Sequence, residues 1–304
     1  MPVVVEFESG LGNQLFQFAA GYHLAEKKNT RLIADTSRYL KPAKPGGRVT
    51  WRPFILQELG FPMEYRPNPP AALFNIRGVP RLHNLFRNRG LTRYSCPGAY
   101  TPAWDSLPKD CYLSGYFQDR RYLPKSMKPV SNIILRQLKK AAEDKGVKAI
   151  PHNWGAVHVR LGDYLDTPEF YPEWFQNYTP SVVQELLESH RCAKVLVFSD
   201  QPEKAAEMLK KFGDRIEIAS SDFALEGSLD LYRMSTATVL AIANSSFSWW
   251  AAQIAHQTGS RIIAPRFWSE WLKDPEGQIY DPEWDVFGDD LGQDGLKPQS
   301  GNEE

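Results

Sequence analysis

The chain has 304 residues, a length that favours two domains of roughly 150 residues over a single core. Its 36 basic and 36 acidic side chains cancel, so no global field recruits nucleic acid, and no window approaches the roughly 18–20 apolar residues that span a bilayer. Three cysteines, Cys96, Cys111 and Cys192, lack metal-ligand spacing and suit small buried hydrophobes in a reducing compartment.

Residues 2–7 read as a buried strand that empties into Gly10-Leu11-Gly12-Asn13-Gln14. The two glycines permit a tight turn and close approach of another group, and the helix start that follows offers free N–H donors. Leu15, Phe18, Ala19 and Tyr22 fall at helical offsets, and a strand over 31–34 completes a βαβ unit, hence a parallel sheet.

Between 41 and 110 the periodicity fades. Pro62, Pro67, Pro69, Pro70 and Pro80 are expected to break any regular element. Residues 77–93 carry five arginines and a histidine with no acid. This stretch reads either as a solvated excursion over the first domain or as an acceptor-facing segment suited to an acidic glycan or lipid pyrophosphate.

A helix over 132–144 precedes a boundary at Gly146 and Pro151. Strands at 156–159, 194–198, 215–218, 239–243 and 261–264 then alternate with helices near 181–188, 202–212, 229–235 and 248–257, a doubly wound, Rossmann-like pattern. The expected organisation is a first domain over 1–150, a second over 151–287, and a polar tail over 288–304 that composition marks as disordered.

Ligands of open α/β sheets sit outside the carboxyl ends of the strands. There His158 and Arg160 share a face, and Gly162 lets the chain turn; Arg160 could point its planar fork at a pyrophosphate or pair with Asp163 at the surface. Asp200 could accept from a ribose or cap the next helix, and Pro202 favours the cap. Asn244, Ser245, Ser246, Phe247 and Ser248 end a buried strand at a helix start that forms an anion cradle without a lysine; Ser248 could equally be only a cap, and Trp249 and Trp250 core packing. Asp-x-Asp, His-Glu-x-x-His, a Walker loop and Gly-x-Ser-x-Gly are absent from the sequence, so arginine and helix dipoles are expected to neutralise a diphosphate in place of a metal.

Taken in order, Gly10-Leu11-Gly12-Asn13-Gln14-Leu15-Phe16-Gln17, His158-Val159-Arg160-Leu161-Gly162-Asp163-Tyr164, Phe198-Ser199-Asp200, 243–250 and 263–268 resemble the α-1,2-fucosyltransferases of glycosyltransferase family 11, bacterial type. The resemblance implies a GT-B-like α/β fold with two Rossmann-like domains facing across a cleft. It also implies GDP-β-L-fucose as donor and inverting transfer without metal or cofactor to O2 of a galactose in an oligosaccharide or lipid-linked glycan. It places Arg160 on the donor diphosphate, with His158, Asp200, Asn244, Ser245, Ser246, Phe247 and Ser248 on the same side. Gly10, Gly12, Asn13 and Gln14 then form the acceptor lip. Asp163 is the first candidate for general base, with Asp119 or Glu8 behind it. Leu161 departs from the family's His-x-Arg-Arg-x-Asp pattern, which leaves open another nucleotide sugar, or a catalytically silent glycan- or nucleotide-binding homologue. A cytoplasmic enzyme with peripheral contact at the inner membrane is the matching expectation.

Overall fold

The computed structural model describes residues 2–40, 52–67, 91–162, 173–219, 226–266, 268 and 279–287. Two parallel sheets organise these residues. The first comprises β1 (Val3–Glu6), β2 (Leu32–Asp35), β3 (Glu64–Arg66), β4 (Thr92–Ser95) and β5 (Cys111–Ser114), in the order β3-β2-β1-β5-β4. Helix α1 (Leu11–Lys27) makes the crossover from β1 to β2, whose register pairs Val3 with Leu32 and Glu6 with Asp35. Strand β1 is buried along its whole length, as a central parallel strand covered on both faces must be.

The expectation that 41–110 holds no regular element fails at β3 and β4. Both are short edge strands, and β3 fits between Pro62 and Pro67 because the edge of a sheet tolerates nearby proline. The tail 288–304 and most of the basic stretch 77–93 lie outside the described residues.

The second sheet comprises β6 (Trp154–Val159), β7 (Lys194–Ser199), β8 (Ile216–Ile218), β9 (Val239–Ala241), β10 (Arg261–Pro265) and β11 (Asp285–Phe287). Its order is β11-β10-β9-β6-β7-β8. Counted from β6, that is the 3-2-1-4-5-6 order of doubly wound nucleotide-binding sheets. The strand direction of growth therefore reverses between β6 and β9 in this sheet, and between β1 and β5 in the first.

Among the described residues five further α-helices complete the framework: α2 (Lys128–Asp144), α3 (Glu173–Glu188), α4 (Pro202–Leu209), α5 (Glu226–Ser235) and α6 (Ser246–Gln257). Helix α3 begins before Pro180 and runs through it, earlier than the sequence pattern suggests. The Tyr178 hydroxyl donates to the Ile242 carbonyl at 2.8 Å, anchoring the turn ahead of the proline to the end of β9.

The two domains share one apolar core. Helix α1 packs on α6, and α2 packs on both α5 and α6. Phe16 of α1 lies 4.6 Å from the Trp249 ring and 5.2 Å from Trp250, and all three are fully buried. Trp249 also donates from Nε1 to the Ile279 carbonyl at 2.7 Å. A tryptophan pair at consecutive positions can bury both rings because α6 is enclosed nearly all round: every residue from Ser248 to Ala255 is buried. The parallel strands and the aromatic seam together fix how the carboxyl ends of the two sheets face each other.

Candidate active site

Strand β6 ends at a charged corner. Arg160 follows its last residue, and its Nη1 lies 2.8 Å from Oδ2 of Asp200, just past the end of the neighbouring β7. Asp200 accepts two further bonds, from the Leu161 N–H at 2.9 Å and the Gly162 N–H at 3.1 Å. The expected helix cap at Asp200 is therefore a misreading. The carboxylate turns sideways onto the 160–162 loop, while Ser199 Oγ takes the Gln201 N–H at 3.0 Å. Gly162 is required there, since a Cβ would collide with the Asp200 carboxylate. Asp200 thus shapes the loop and fixes the Arg160 guanidinium at its edge.

His158 precedes Arg160 on the same face and is buried, with Nδ1 lacking a hydrogen-bond partner among the described residues. Burial holds its pKa down at about 4; Asp200 opposes that shift and Arg160 adds to it. The imidazole is neutral at physiological pH and stacks obliquely on Phe247 at 5.5 Å. Leu161, the departure from the family pattern, is 1% exposed and packs among Val157, Val159, Tyr178 and Val182. Its side chain belongs to the core under α3, so the leucine is a packing choice, while its N–H serves Asp200.

The α6 start differs from expectation in its details. Ser245 is the cap, accepting from the Phe247 N–H at 3.3 Å. Ser248 is fully buried and bonds back to the Ala243 carbonyl at 3.3 Å, so it neither caps the helix nor faces a ligand. Asn244, Ser245, Ser246 and Phe247 are half-buried and form the rim beside β6. This rim and the Arg160 corner flank the β6/β9 reversal, where ligands of such sheets bind.

Across from it stands the loop after β1. A Cβ on Gly12 would fall 2.7 Å from Ser246 Oγ and closer still to the Phe247 backbone. Glycine is needed here for close approach between domains, not for an unusual φ. Asn13 donates to Ser9 Oγ at 2.9 Å and accepts from Gln118 Nε2 at 2.7 Å, and Gly10 precedes the helix in an extended conformation. Gln14 does not face the cleft as expected. It is fully buried, and its amide is consumed by the Ser9 and Pro53 carbonyls and the Ile55 N–H. Such an amide clasps a loop that lacks regular bonding of its own.

Of the three carboxylates considered as base, Asp163 lies outside the described residues. Asp119 is 1% exposed and spent on Arg121, on the N–H of the same residue and on the Tyr100 N–H, a structural role that removes it from the chemistry. Glu8 is partly exposed at the β1 end. Tyr116 and Gln118, which join the same rim, were not singled out from sequence. The cue was the short apolar run Cys111-Tyr112-Leu113, which places Gly115 and Tyr116 at a strand end.

Comparison with known proteins supplies the family. The model of glycosyl transferase family 11 matches residues 92–287. The chain is similar to an α-1,2-colitosyltransferase of Escherichia coli, at 27% identity over 92% of this chain and 96% of that protein. It is also similar to the O-antigen biosynthesis glycosyltransferase WbnK of Escherichia coli, at 25% identity over 85% of this chain and 92% of the relative. Among solved structures, a mutant of Arabidopsis thaliana FUT1 in complex with GDP aligns with a TM-score of 0.50 at 12% identity, covering 86% of this chain and 70% of that one. This last likeness concerns the fold, and it agrees with the GT-B arrangement of two parallel-sheet α/β domains.

Proposed function

The chain belongs to glycosyl transferase family 11, and on that footing we propose that it transfers L-fucose, with inversion, from GDP-β-L-fucose to O2 of a galactose residue on an oligosaccharide or lipid-linked glycan. The observation that carries this reading is the Arg160 fork, held by Asp200 at the β6/β9 reversal. A sugar leaving a nucleoside diphosphate passes through a loose, oxocarbenium-like transition state, and charge accumulates on the departing phosphate. A guanidinium already oriented by a carboxylate meets that charge without reorganising. His158, neutral and buried beside it, can donate or accept a hydrogen bond without adding charge.

Asn244, Ser245 and Ser246 supply the donor-side rim, and Gly10, Gly12 and Asn13 the acceptor lip. No metal or cofactor is part of this proposal, since arginine and the α6 start supply the positive potential. Among the described residues no helix is long and apolar enough to cross a membrane. The proposed setting is the cytoplasm, with the lipid-linked acceptor approached at the membrane surface.

The colitosyltransferase relative favours a second reading. Colitose is fucose without its 3-hydroxyl, so GDP-colitose would present the same diphosphate to Arg160. Nucleotide release should therefore be scored with GDP-fucose, GDP-colitose, UDP-galactose and dTDP-rhamnose, in EDTA, with and without lactose or methyl β-galactoside. Acceptor-dependent turnover of GDP-fucose supports the first reading, and turnover of GDP-colitose alone the second. Nucleotide binding without turnover of any donor would mean a silent homologue. Activity lost in EDTA and restored by manganese would overturn the metal-free mechanism.

A further inference from the structure

The first sheet has a reversal point of its own, between β1 and β5. A crevice at the carboxyl ends of two such strands is where an open parallel sheet takes a ligand. The groups there differ in kind from the charged corner of the second sheet. Glu8 follows β1, and Tyr116 follows β5 with 45% of its surface exposed, one of two large apolar side chains so exposed among the described residues.

The surrounding backbone is held in unusual conformations. Ser9 has φ of 71° and Phe117 has φ of 52°, although neither is glycine, and Gly115 between the strand end and Tyr116 has φ of 115°. Left-handed backbone at non-glycine residues persists where the surroundings over-determine it. Here those surroundings are visible. The Ser9 carbonyl accepts from the Tyr39 hydroxyl at 2.8 Å, Asn13 bridges Ser9 and Gln118, and Gln17 joins the Glu8 N–H to the Gly115 carbonyl. These bonds fix the loop after β1 against the loop after β5, so Glu8 and Tyr116 are displayed side by side.

The Glu8 carboxylate is engaged by an ion pair alone. Arg38 binds Glu6, Nε to Oε1 at 3.0 Å, and comes only within 3.7 Å of Glu8. No hydrogen bond to the Glu8 carboxylate occurs among the described residues. The Gly12 contact with Ser246 and Phe247 then brings this loop to the α6 start, next to the donor corner.

We propose that Glu8 is the general base that deprotonates the acceptor hydroxyl, and that Tyr116 is the aromatic platform on which the acceptor sugar ring lies. This inference rests on the glycosyl-transfer reading given above. The acceptor oxygen forms its bond to C1 of the donor sugar while its proton passes to a Glu8 oxygen. The C1–O bond to the diphosphate breaks, its electron pair leaves with GDP at the Arg160 corner, and Glu8 returns the proton to solvent. Burial raises the Glu8 pKa, Glu6 adds to the rise and Arg38 opposes it, a direction that makes the carboxylate a stronger base. Glu6 on the same strand, Arg38 and Tyr39 after β2, and Tyr116 after β5 are the ionisable groups that face it.

The test uses the full chain, with the donor that the wild type turns over and lactose as acceptor. Glu8→Gln should lower kcat by about 100-fold or more, the usual contribution of a general base, with GDP affinity and melting temperature unchanged. The acid limb of the wild-type kcat profile should disappear in this variant, and Glu8→Asp should recover part of the rate. Tyr116→Ala should raise the acceptor KM about 10-fold while leaving the donor KM in place, as expected from loss of one stacking contact. A Glu8→Gln protein that keeps more than about a third of kcat with its acid limb intact overturns the base, and an unchanged acceptor KM in Tyr116→Ala overturns the platform. If Glu8→Gln does not fold, full wild-type kcat in Glu8→Asp overturns the base. A wild type that turns over no nucleotide sugar removes the transfer reading itself, and the proposal with it.

Discussion

Each of the two sheets has a reversal point, and the chemistry at the two points is opposite. At β6/β9 an arginine, an aspartate and a neutral buried histidine crowd one corner, and the arginine and aspartate hold each other. At β1/β5 the polar work is done by amides and backbone carbonyls, with one carboxylate in a loose ion pair and an exposed tyrosine at the rim. A diphosphate needs concentrated positive charge and a dry, rigid cradle. A sugar ring needs a flat apolar face and a few adjustable hydrogen bonds. On the proposed reading the same α/β topology supplies a donor wall and an acceptor wall, and the two differ in what the strand ends carry.

That contrast can be broken most severely at Arg160. Arg160→Ala should lower transfer by about 1,000-fold with the fold retained, and Arg160→Lys should recover little because lysine lacks the fork; steady-state kinetics alongside a melting curve check this. Gly12→Ala attacks the seam where the walls meet. Its methyl group would press on the α6 backbone, so about 1–3 kcal/mol of stability should be lost. Transfer should fall more than GDP binding does.

A smaller effect is expected from Asp200→Asn, which keeps an oxygen for one loop N–H but loses the charge opposite Arg160. The donor KM should rise about 10-fold, in line with one charge-assisted hydrogen bond, with the acceptor KM unchanged. A last effect, felt only in acid, is on stability against pH. His158 is held near 4, below its ordinary value, so the unfolded chain binds a proton more readily than the folded one. Its contribution is steady at neutral pH and is lost as pH falls from the unfolded value toward 4, by at most about 3 kcal/mol. Melting temperatures between pH 7 and pH 4 should show a shallower decline in His158→Asn.

Much of the second domain was legible in the sequence, because its strands are apolar runs of ordinary length separated by amphipathic helices. Arg160, placed just past a strand end, fell where a ligand was expected. Asp200 was misread because Pro202 signals a helix start so strongly, while the bonds from Asp200 to 161 and 162 span nearly 40 residues of sequence. Helix α6 begins two residues before the start that the pattern indicates, so the cap falls on Ser245 and Ser248 turns inward, within the usual scatter of helix boundaries. The first domain was harder. Strands β3, β4 and β5 are three or four residues long, too short for a period to register, so the run Cys111-Tyr112-Leu113 is the one local cue to the strand end that carries Tyr116. The seam of Phe16, Trp249 and Trp250 could not be paired from sequence, since its partners are more than 230 residues apart and nothing local distinguishes a ring that packs inside a domain from one that packs between two.

The central claim is that Arg160 holds the donor diphosphate without a metal. Calorimetric titration of GDP into the wild type and Arg160→Ala, both in EDTA, tests it most directly. The account predicts measurable binding by the wild type and a loss of at least 10-fold in the variant, the minimum for one charged hydrogen bond. Equal affinity in the two proteins, or wild-type binding that appears only when a divalent cation is added, would contradict it.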